Sequence, residues 1–143
     1  MGIKRFRTHM KIYVCHSSMF DYVKELYEPL RNSNLSKKYE LILPHETSKK
    51  TFDSKKMIPS CDLIISEVSY PSTSMGIELG WANKDNKRIL FIHKRGFKIS
   101  NSLREVSSDF IEYSNSDDLI KKALLFIDRL QKPRNSRSRG TRI

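Results

Sequence analysis

Short apolar runs alternate along this chain with segments in which the apolar residues recur at helical spacing. The runs predict five β-strands, over residues 11–15, 39–43, 62–68, 88–93 and 110–113. The segments between them predict helices over residues 19–31, 54–60, 74–83 and 116–130. Strands that alternate with helices are typical of an α/β protein with a parallel sheet covered on both faces.

Right-handed crossovers between five such strands favour a doubly wound, flavodoxin-like domain with the strand order 2-1-3-4-5. A length of 143 residues predicts one domain. We place this domain at residues 11–131, between an N-terminal extension over 1–10 and a tail over 132–143. Ligands of such sheets bind beyond the carboxyl ends of the strands, so the segments after Cys15, Val68 and His93 are the first candidates for a site.

The charge is concentrated at the two ends of the chain. Lys and Arg number 27 against 16 Asp and Glu, which gives a net charge of +11, and eight of these excess charges lie in the extension and the tail. A tail so basic and so poor in apolar residues is predicted to be disordered, and it is the one part expected to contact nucleic acid. The extension lacks the apolar stretch of a secretory signal, and no apolar run is long enough to span a membrane, so we expect a cytoplasmic protein.

Metal and cofactor chemistry find little support in the sequence. The two cysteines are far apart, and the four histidines show no ligand-like spacing with them or with one another. A glycine-rich phosphate loop and a dinucleotide-binding fingerprint are also missing from the sequence. We therefore predict neither a metal site nor a cofactor.

Small polar residues follow the first predicted strand and lead into a helix. His16, Ser17 and Ser18 could hold a phosphate with their hydroxyls and with the free N–H groups of a helix N-terminus. The alternative is that Ser17 or Ser18 only caps the helix. The segment by itself favours capping.

The segment after the third strand is the most informative part of the chain. A loop rich in Ser and Pro leads into a helix in which Glu78 lies between Gly76 and Gly80. Two glycines cost a helix about 1 kcal/mol each relative to alanine, which predicts that something approaches the helix closely there. A capping box would require Ser or Thr at position 75, which is Met, so Glu78 is either a functional carboxylate or an acid stabilised by the helix dipole.

The block from Cys61 to Ala82 resembles a known family. Cys61-Asp62, Glu67-Val68-Ser69, Pro71-Ser72 and Gly76-Ile77-Glu78-Leu79-Gly80 are similar to the motifs of the nucleoside 2-deoxyribosyltransferase family, which includes the 2′-deoxynucleoside 5′-monophosphate N-glycosidases. Looser similarity extends over residues 11–127. The resemblance implies a flavodoxin-like fold and cleavage of the N-glycosidic bond of a 2′-deoxynucleoside or its 5′-monophosphate, by hydrolysis or by transfer of the base.

The same resemblance implies roles for individual residues. Glu78 matches the family nucleophile that attacks C1′ of the sugar, and Tyr13 matches the tyrosine that orients it. Such a carboxylate both stabilises an oxocarbenium-like transition state and captures it as an ester. The implied substrate-binding residues include Ser102, which would come from a neighbouring subunit of a homo-oligomer; the full set is His16, Ser17, Ser18, His45, Ser72, Ser74, Gly76 and Ser102.

One position departs from the family pattern. The family commonly has a second acid eight residues before the aspartate of the third strand, and that position is Ser54 in this chain. Asp53, one residue earlier, is the candidate proton donor if the helix start is shifted. The alternative is that Ser54 only caps this helix.

Three other functions remain open at the level of sequence. The opening strand followed by Ser-Ser and a helix is also similar to Toll/interleukin receptor domains, some of which cleave nicotinamide dinucleotides. The missing second acid is compatible with a nucleotide-binding domain without catalysis, and the basic ends are compatible with nucleic-acid binding.

Trp81 is interpreted as a packing or subunit-contact residue, or as a residue that stacks on a base.

Overall fold

A computed structural model describes residues 10–46 and 53–132. Its strands form one parallel sheet in the order β2-β1-β3-β4-β5, which confirms the predicted fold and strand order. The predicted N-terminal extension, apart from Met10, and the predicted tail, apart from Lys132, lie outside the described residues. The strands are β1 (Lys11–His16), β2 (Glu40–Ile42), β3 (Leu63–Glu67), β4 (Arg88–Lys94) and β5 (Phe110–Tyr113).

Helices cover both faces of the sheet. Two short helices lie between β1 and β2, and one short helix that ends in a 3₁₀ turn, Ile58–Ser60, lies between β2 and β3. A further 3₁₀ turn, Asn101–Glu105, precedes β5. A π-helical turn, Val23–Tyr27, leads into the first of these helices. The α-helices are α1 (Glu28–Arg31), α2 (Asn34–Lys38), α3 (Ser54–Met57), α4 (Thr73–Lys84) and α5 (Ser116–Gln131). None of these described helices has the length and apolar character that a membrane span requires.

The first helical segment starts later than predicted. The Asp21 carboxylate accepts the N–H of Lys24 at 3.2 Å, so the first helical segment begins after Asp21 rather than at residue 19. Ser17 instead accepts the N–H of Met19 at 3.0 Å in a turn, so neither of the two serines that follow β1 caps a helix. At α5 the capping residue is Asn115, whose side chain accepts the N–H of Asp118 at 2.9 Å.

The alternation of side chains along β1 divides the core into two layers. Ile12 and Val14 pack with the residues of α1, α2 and α5, whereas Tyr13 and Cys15 pack on the opposite face against α4 and the turn after α3. All four side chains are almost completely buried. The face with Tyr13 is the one that carries the candidate site.

Candidate functional site

A cleft of about 480 Å³ opens between α3 and α4 on the Tyr13 face of the sheet. Seven residues line the cleft, and they include two acids, one lysine and one tryptophan. The lining residues are Asp53, Ser54, Lys55, Ser74, Ile77, Glu78 and Trp81. The carboxylate that the sequence singled out therefore faces a space large enough for a small ligand.

Hydroxyl groups from two other elements hold the Glu78 carboxylate. Its Oε2 accepts a hydrogen bond from Ser54 Oγ at 2.7 Å and from the Tyr13 hydroxyl at 3.2 Å. The Tyr13 and Ser54 oxygens are themselves 2.7 Å apart. Two hydroxyl protons serve these three contacts, so the Tyr13 proton is shared between Ser54 and Glu78. The result is one compact unit drawn from β1, α3 and α4.

Burial keeps the neighbours of Glu78 in their protonated forms. Burial raises the pKa of the Tyr13 hydroxyl, and the nearby Glu78 carboxylate raises it further, although the hydrogen bond with Ser54 partly opposes this. Burial raises the pKa of the Cys15 thiol well above its usual value, and the Glu78 carboxylate raises it further. Both groups therefore remain neutral beside Glu78, and Tyr13 is a neutral hydrogen-bond donor to it.

The position of Glu78 follows from the way α4 packs. The Ser72 hydroxyl caps the helix by accepting the N–H of Met75 at 3.3 Å. Met75, Leu79 and Ala82 then form the buried stripe against the sheet. Glu78 lies at the edge of that stripe and is half-buried, between the core and the cleft.

No described part of the chain itself makes the close approach predicted at Gly76 and Gly80. A Cβ added at either glycine would have no neighbouring atom within 4 Å. Both glycines lie on the exposed face of α4. Glu78 owes its position to the buried stripe of the helix rather than to the glycines beside it.

The cap that the sequence offered to Ser54 is made by Asp53 in the structure. Asp53 caps α3, because its Oδ1 accepts the N–H of Lys56 at 3.3 Å, and its side chain is 62% exposed. Ser54 does not cap the helix; it is buried and contacts Tyr13 and Glu78. Asp53 does line the cleft, so its proposed part as a proton donor stays a prediction.

The two histidines predicted at the site do not line this cleft. The side chain of His16 belongs to the opposite face of β1, where its Nε2 is 2.7 Å from the Tyr27 hydroxyl and its ring centroid is 5.6 Å from that of His45. His45 lines a separate hollow beside α1. Burial lowers the pKa of His16, and His45 lowers it further, so the ring of His16 is held neutral.

The predicted serines are divided between the cleft and its surroundings. Ser74 lines the cleft, and the Ser72 and Ser74 hydroxyl oxygens are 3.3 Å apart at the first turn of α4. Ser17 is buried in its turn after β1, and Ser18 is exposed. Ser102 is exposed in the 3₁₀ turn before β5, with its Oγ 2.9 Å from that of Ser100. The serines are thus not gathered into one pocket by this single chain.

Sequence reasoning missed two residues of the site. No motif marks Cys15, although its spacing from Tyr13 places both side chains on one face of a strand. Lys55 follows Ser54 at the start of α3, and its ammonium lies over the Trp81 ring at 5.8 Å from the centroid. No motif marks this lysine, because its position becomes meaningful only when α3 and α4 are brought together.

A second buried carboxylate fixes the loop that leads into α4. Glu67, at the end of β3, is fully buried and accepts the N–H and the hydroxyl of Ser69, both at 2.8 Å. The Tyr113 hydroxyl from β5 donates to the same carboxylate. The Lys94 N–H from β4 donates to Ser69 Oγ at 2.8 Å. The loop is therefore tied to three strands before α4 begins.

Solved structures that share this fold include two enzymes of nucleoside chemistry. The CMP N-glycosidase of Clostridium botulinum has 23% sequence identity and a TM-score of 0.59, with 79% of this chain and 97% of that chain covered. A 2-desoxiribosyltransferase from Leishmania mexicana has 17% identity and a TM-score of 0.60, over 86% and 99% of the two chains.

The same fold also serves other purposes. A signal receiver domain from Vibrio parahaemolyticus has 17% identity and a TM-score of 0.52, over 85% and 92% of the two chains. No protein-family model matches the chain, and a search of curated proteins finds no relative. The chain thus has the flavodoxin-like fold found in an N-glycosidase and a deoxyribosyltransferase, in agreement with the resemblance of its Glu78 block.

Proposed function

We propose that this protein is an enzyme that cleaves the N-glycosidic bond of 2′-deoxynucleosides or their 5′-monophosphates through a covalent intermediate on Glu78. The observation that carries the proposal is the Glu78 carboxylate, held by the Tyr13 and Ser54 hydroxyls at the wall of a cleft. The flavodoxin-like fold and the family resemblance of the Glu78 block support the same chemistry.

The proposed reaction has two successive displacements at C1′, each on the face opposite to the group that leaves, so the configuration at C1′ is retained. An oxygen of Glu78 forms a bond to C1′ while the bond from C1′ to the base nitrogen breaks, and the base departs with the electron pair. Water, or the nitrogen of a second base, then attacks C1′ and releases the carboxylate. The hydrogen bonds from Tyr13 and Ser54 fix the carboxylate in one orientation, which lowers the entropic cost of reaching the transition state.

A 5′-monophosphate is the preferred form of the substrate in this proposal. Ser74 is the predicted phosphate-binding candidate that lines the cleft, beside the α4 cap Ser72. Ser102 would reach a phosphate from a neighbouring copy in a homo-oligomer, which is part of the proposal.

The test is release of free base by the purified protein and by Glu78→Gln. We expect wild type to release base from at least one member of a panel of deoxynucleosides, deoxynucleoside monophosphates, CMP and NAD. Glu78→Gln should lose at least about 10³-fold in kcat/KM, because the amide cannot form the glycosyl ester. Intact-mass measurement of rapidly quenched wild type should show one added deoxyribosyl or deoxyribosyl phosphate unit.

The matched control is Glu105→Gln, which removes an exposed carboxylate in the 3₁₀ turn before β5 and should keep full activity. Thermal unfolding of both variants checks that the fold is retained. A wild type that is silent across the panel, or a Glu78→Gln variant that retains its rate, contradicts the proposal. Cleavage of NAD alone would favour the Toll/interleukin receptor-like alternative.

A further inference from the structure

The cleft is poor in groups that can protonate a departing base. All 16 acidic residues of the chain fall within the described residues, and Asp53 and Glu78 are the ones that line the cleft. Glu78 is the nucleophile of the proposed function and must be ionised to attack. Ser54 occupies the position where the family resemblance leads one to expect a second acid.

Asp53 is engaged in the structure of α3. Its Oδ1 accepts the backbone N–H of Lys56, and its Oδ2 is 4.0 Å from the Lys56 ammonium. Both carboxyl oxygens of Asp53 thus have partners within the first turn of α3. Glu78 is the proposed nucleophile and Asp53 caps α3, so the described lining of the cleft offers no further carboxyl group to protonate a leaving base.

The lining of the cleft includes one cation, the ammonium group of Lys55. The Lys55 ammonium lies over the Trp81 ring, and both residues line the cleft that Glu78 faces. A base that stacks on the accessible indole would bring its carbonyl oxygens near the ammonium. Such a charge stabilises negative charge that develops on a leaving group and repels a base that carries a positive charge.

Bases differ in how they can leave C1′. Adenine, guanine and cytosine each have a basic ring nitrogen, and protonation of that nitrogen by a general acid makes them good leaving groups. Uracil and thymine can leave as anions, because the pair of electrons on N1 is delocalised over the oxygens at C2 and C4. A site with an ammonium and without a placed carboxylic acid matches the second group.

We propose that this site selects 2,4-dioxopyrimidine nucleotides and that Lys55 is the catalytic residue that stabilises the departing pyrimidine anion. This inference rests on the proposed function. When Glu78 bonds to C1′, the bond from C1′ to N1 breaks, its electron pair stays on the pyrimidine, and the anion later takes a proton from Lys55 or water. The glycosyl ester is unaffected by that proton transfer and is resolved by water.

The first test compares leaving groups in the full-length protein. We expect kcat/KM for dUMP and thymidine monophosphate to exceed the values for dAMP, dGMP and dCMP by roughly 10²-fold. Among 5-substituted deoxyuridine monophosphates, the rate should rise steeply as the N1–H of the free base becomes more acidic. A preference for purines, or a rate independent of that acidity, would overturn the inference.

The second test replaces the cation. Lys55→Gln should reduce kcat/KM for dUMP by roughly 10²-fold, and it should make the dependence on leaving-group acidity steeper. Lys55→Arg should restore part of the rate, because the guanidinium keeps the charge. Lys56→Gln is the matched control, because the side chain of Lys56 is 87% exposed and does not line the cleft. This variant should keep the substrate preference of wild type.

The outcomes separate this inference from the function on which it rests. Base release that requires Glu78 but favours purines, or that Lys55→Gln leaves unchanged, overturns the inference and leaves the glycosidase proposal standing. Silence of wild type with every nucleotide overturns both. Thermal unfolding of each Lys55 variant shows whether a lost rate comes from a lost fold.

Discussion

At the scale of single residues, Ser54 is the side chain with the clearest consequences. Its hydroxyl lies 2.7 Å from both the Tyr13 oxygen and Glu78 Oε2, and it is buried. A second carboxylate in this place would repel the first and raise the pKa of one of them. Because this position is a serine, Glu78 instead accepts a hydrogen bond from a neutral hydroxyl group.

Ser54→Ala should therefore weaken catalysis more than binding. The variant loses a hydrogen bond to a charged group, worth about 1.5–3 kcal/mol, so we expect kcat to fall roughly 10- to 100-fold with little change in KM. Steady-state kinetics with the best substrate of the panel measures this. Ser60→Ala, which removes an exposed hydroxyl at the end of the same helical segment, should have wild-type kcat. An equal loss in both variants would argue against the role given to Ser54.

At the scale of secondary structure, the sequence was most informative where burial dictates the pattern. Continuous apolar runs predicted all five strands, and β5 matches its predicted bounds. The 3₁₀ turn Asn101–Glu105 and the helix Asn34–Lys38 were not predicted, because each is too short to show helical periodicity.

The ends of the helices were harder to predict than their existence. Asp21, Asp53 and Asn115 are the capping residues of three helical segments, whereas the sequence offered Ser17 or Ser18 for the first and Ser54 for the second. At α3 the sequence left open whether Ser54 is the cap, and the structure gives the cap to Asp53. The site on α4 could be predicted because its motif is specific, whereas the part of the site on α3 depends on one residue of register.

The two glycines of α4 lead to a prediction about stability. Gly80→Ala should increase the free energy of unfolding by up to about 1 kcal/mol, because the helix gains propensity and the added Cβ has open space. Gly96→Ala is the comparison, since Gly96 has a φ of +84° and alanine is strained there, so this variant should be destabilised. Urea unfolding at low protein concentration measures both. A destabilised Gly80→Ala would show that another surface packs on this face of α4.

At the scale of the whole molecule, His16 couples stability to pH. Its folded-state pKa lies below the usual 6.5, chiefly because the ring is buried. The unfolded chain therefore binds a proton that the folded protein resists, so the free energy of unfolding should fall as the pH drops from 6.5 towards the folded pKa. Well above pH 6.5 the ring is neutral in the folded and the unfolded chain alike, so His16 then causes no loss of stability.

The variant His16→Gln isolates this effect. Urea unfolding between about pH 5 and pH 7.5 should show a weaker pH dependence for His16→Gln than for wild type, because the titrating group is gone. His93→Gln, which replaces a half-buried histidine on β4, is the control and should retain the wild-type slope. Parallel curves for wild type and His16→Gln would exclude His16 as the source.

The network around Glu67 also bears on how this molecule can vary. Three buried side chains, those of Glu67, Ser69 and Tyr113, fix the shape of the loop before α4. The backbone N–H of Lys94 on β4 also donates to Ser69. The exposed positions of the same stretch, Pro71 and Thr73, make no part of that support. In a library of randomised sequences, this loop should therefore accept many residues at its surface while α4 continues to present its carboxylate in the same place.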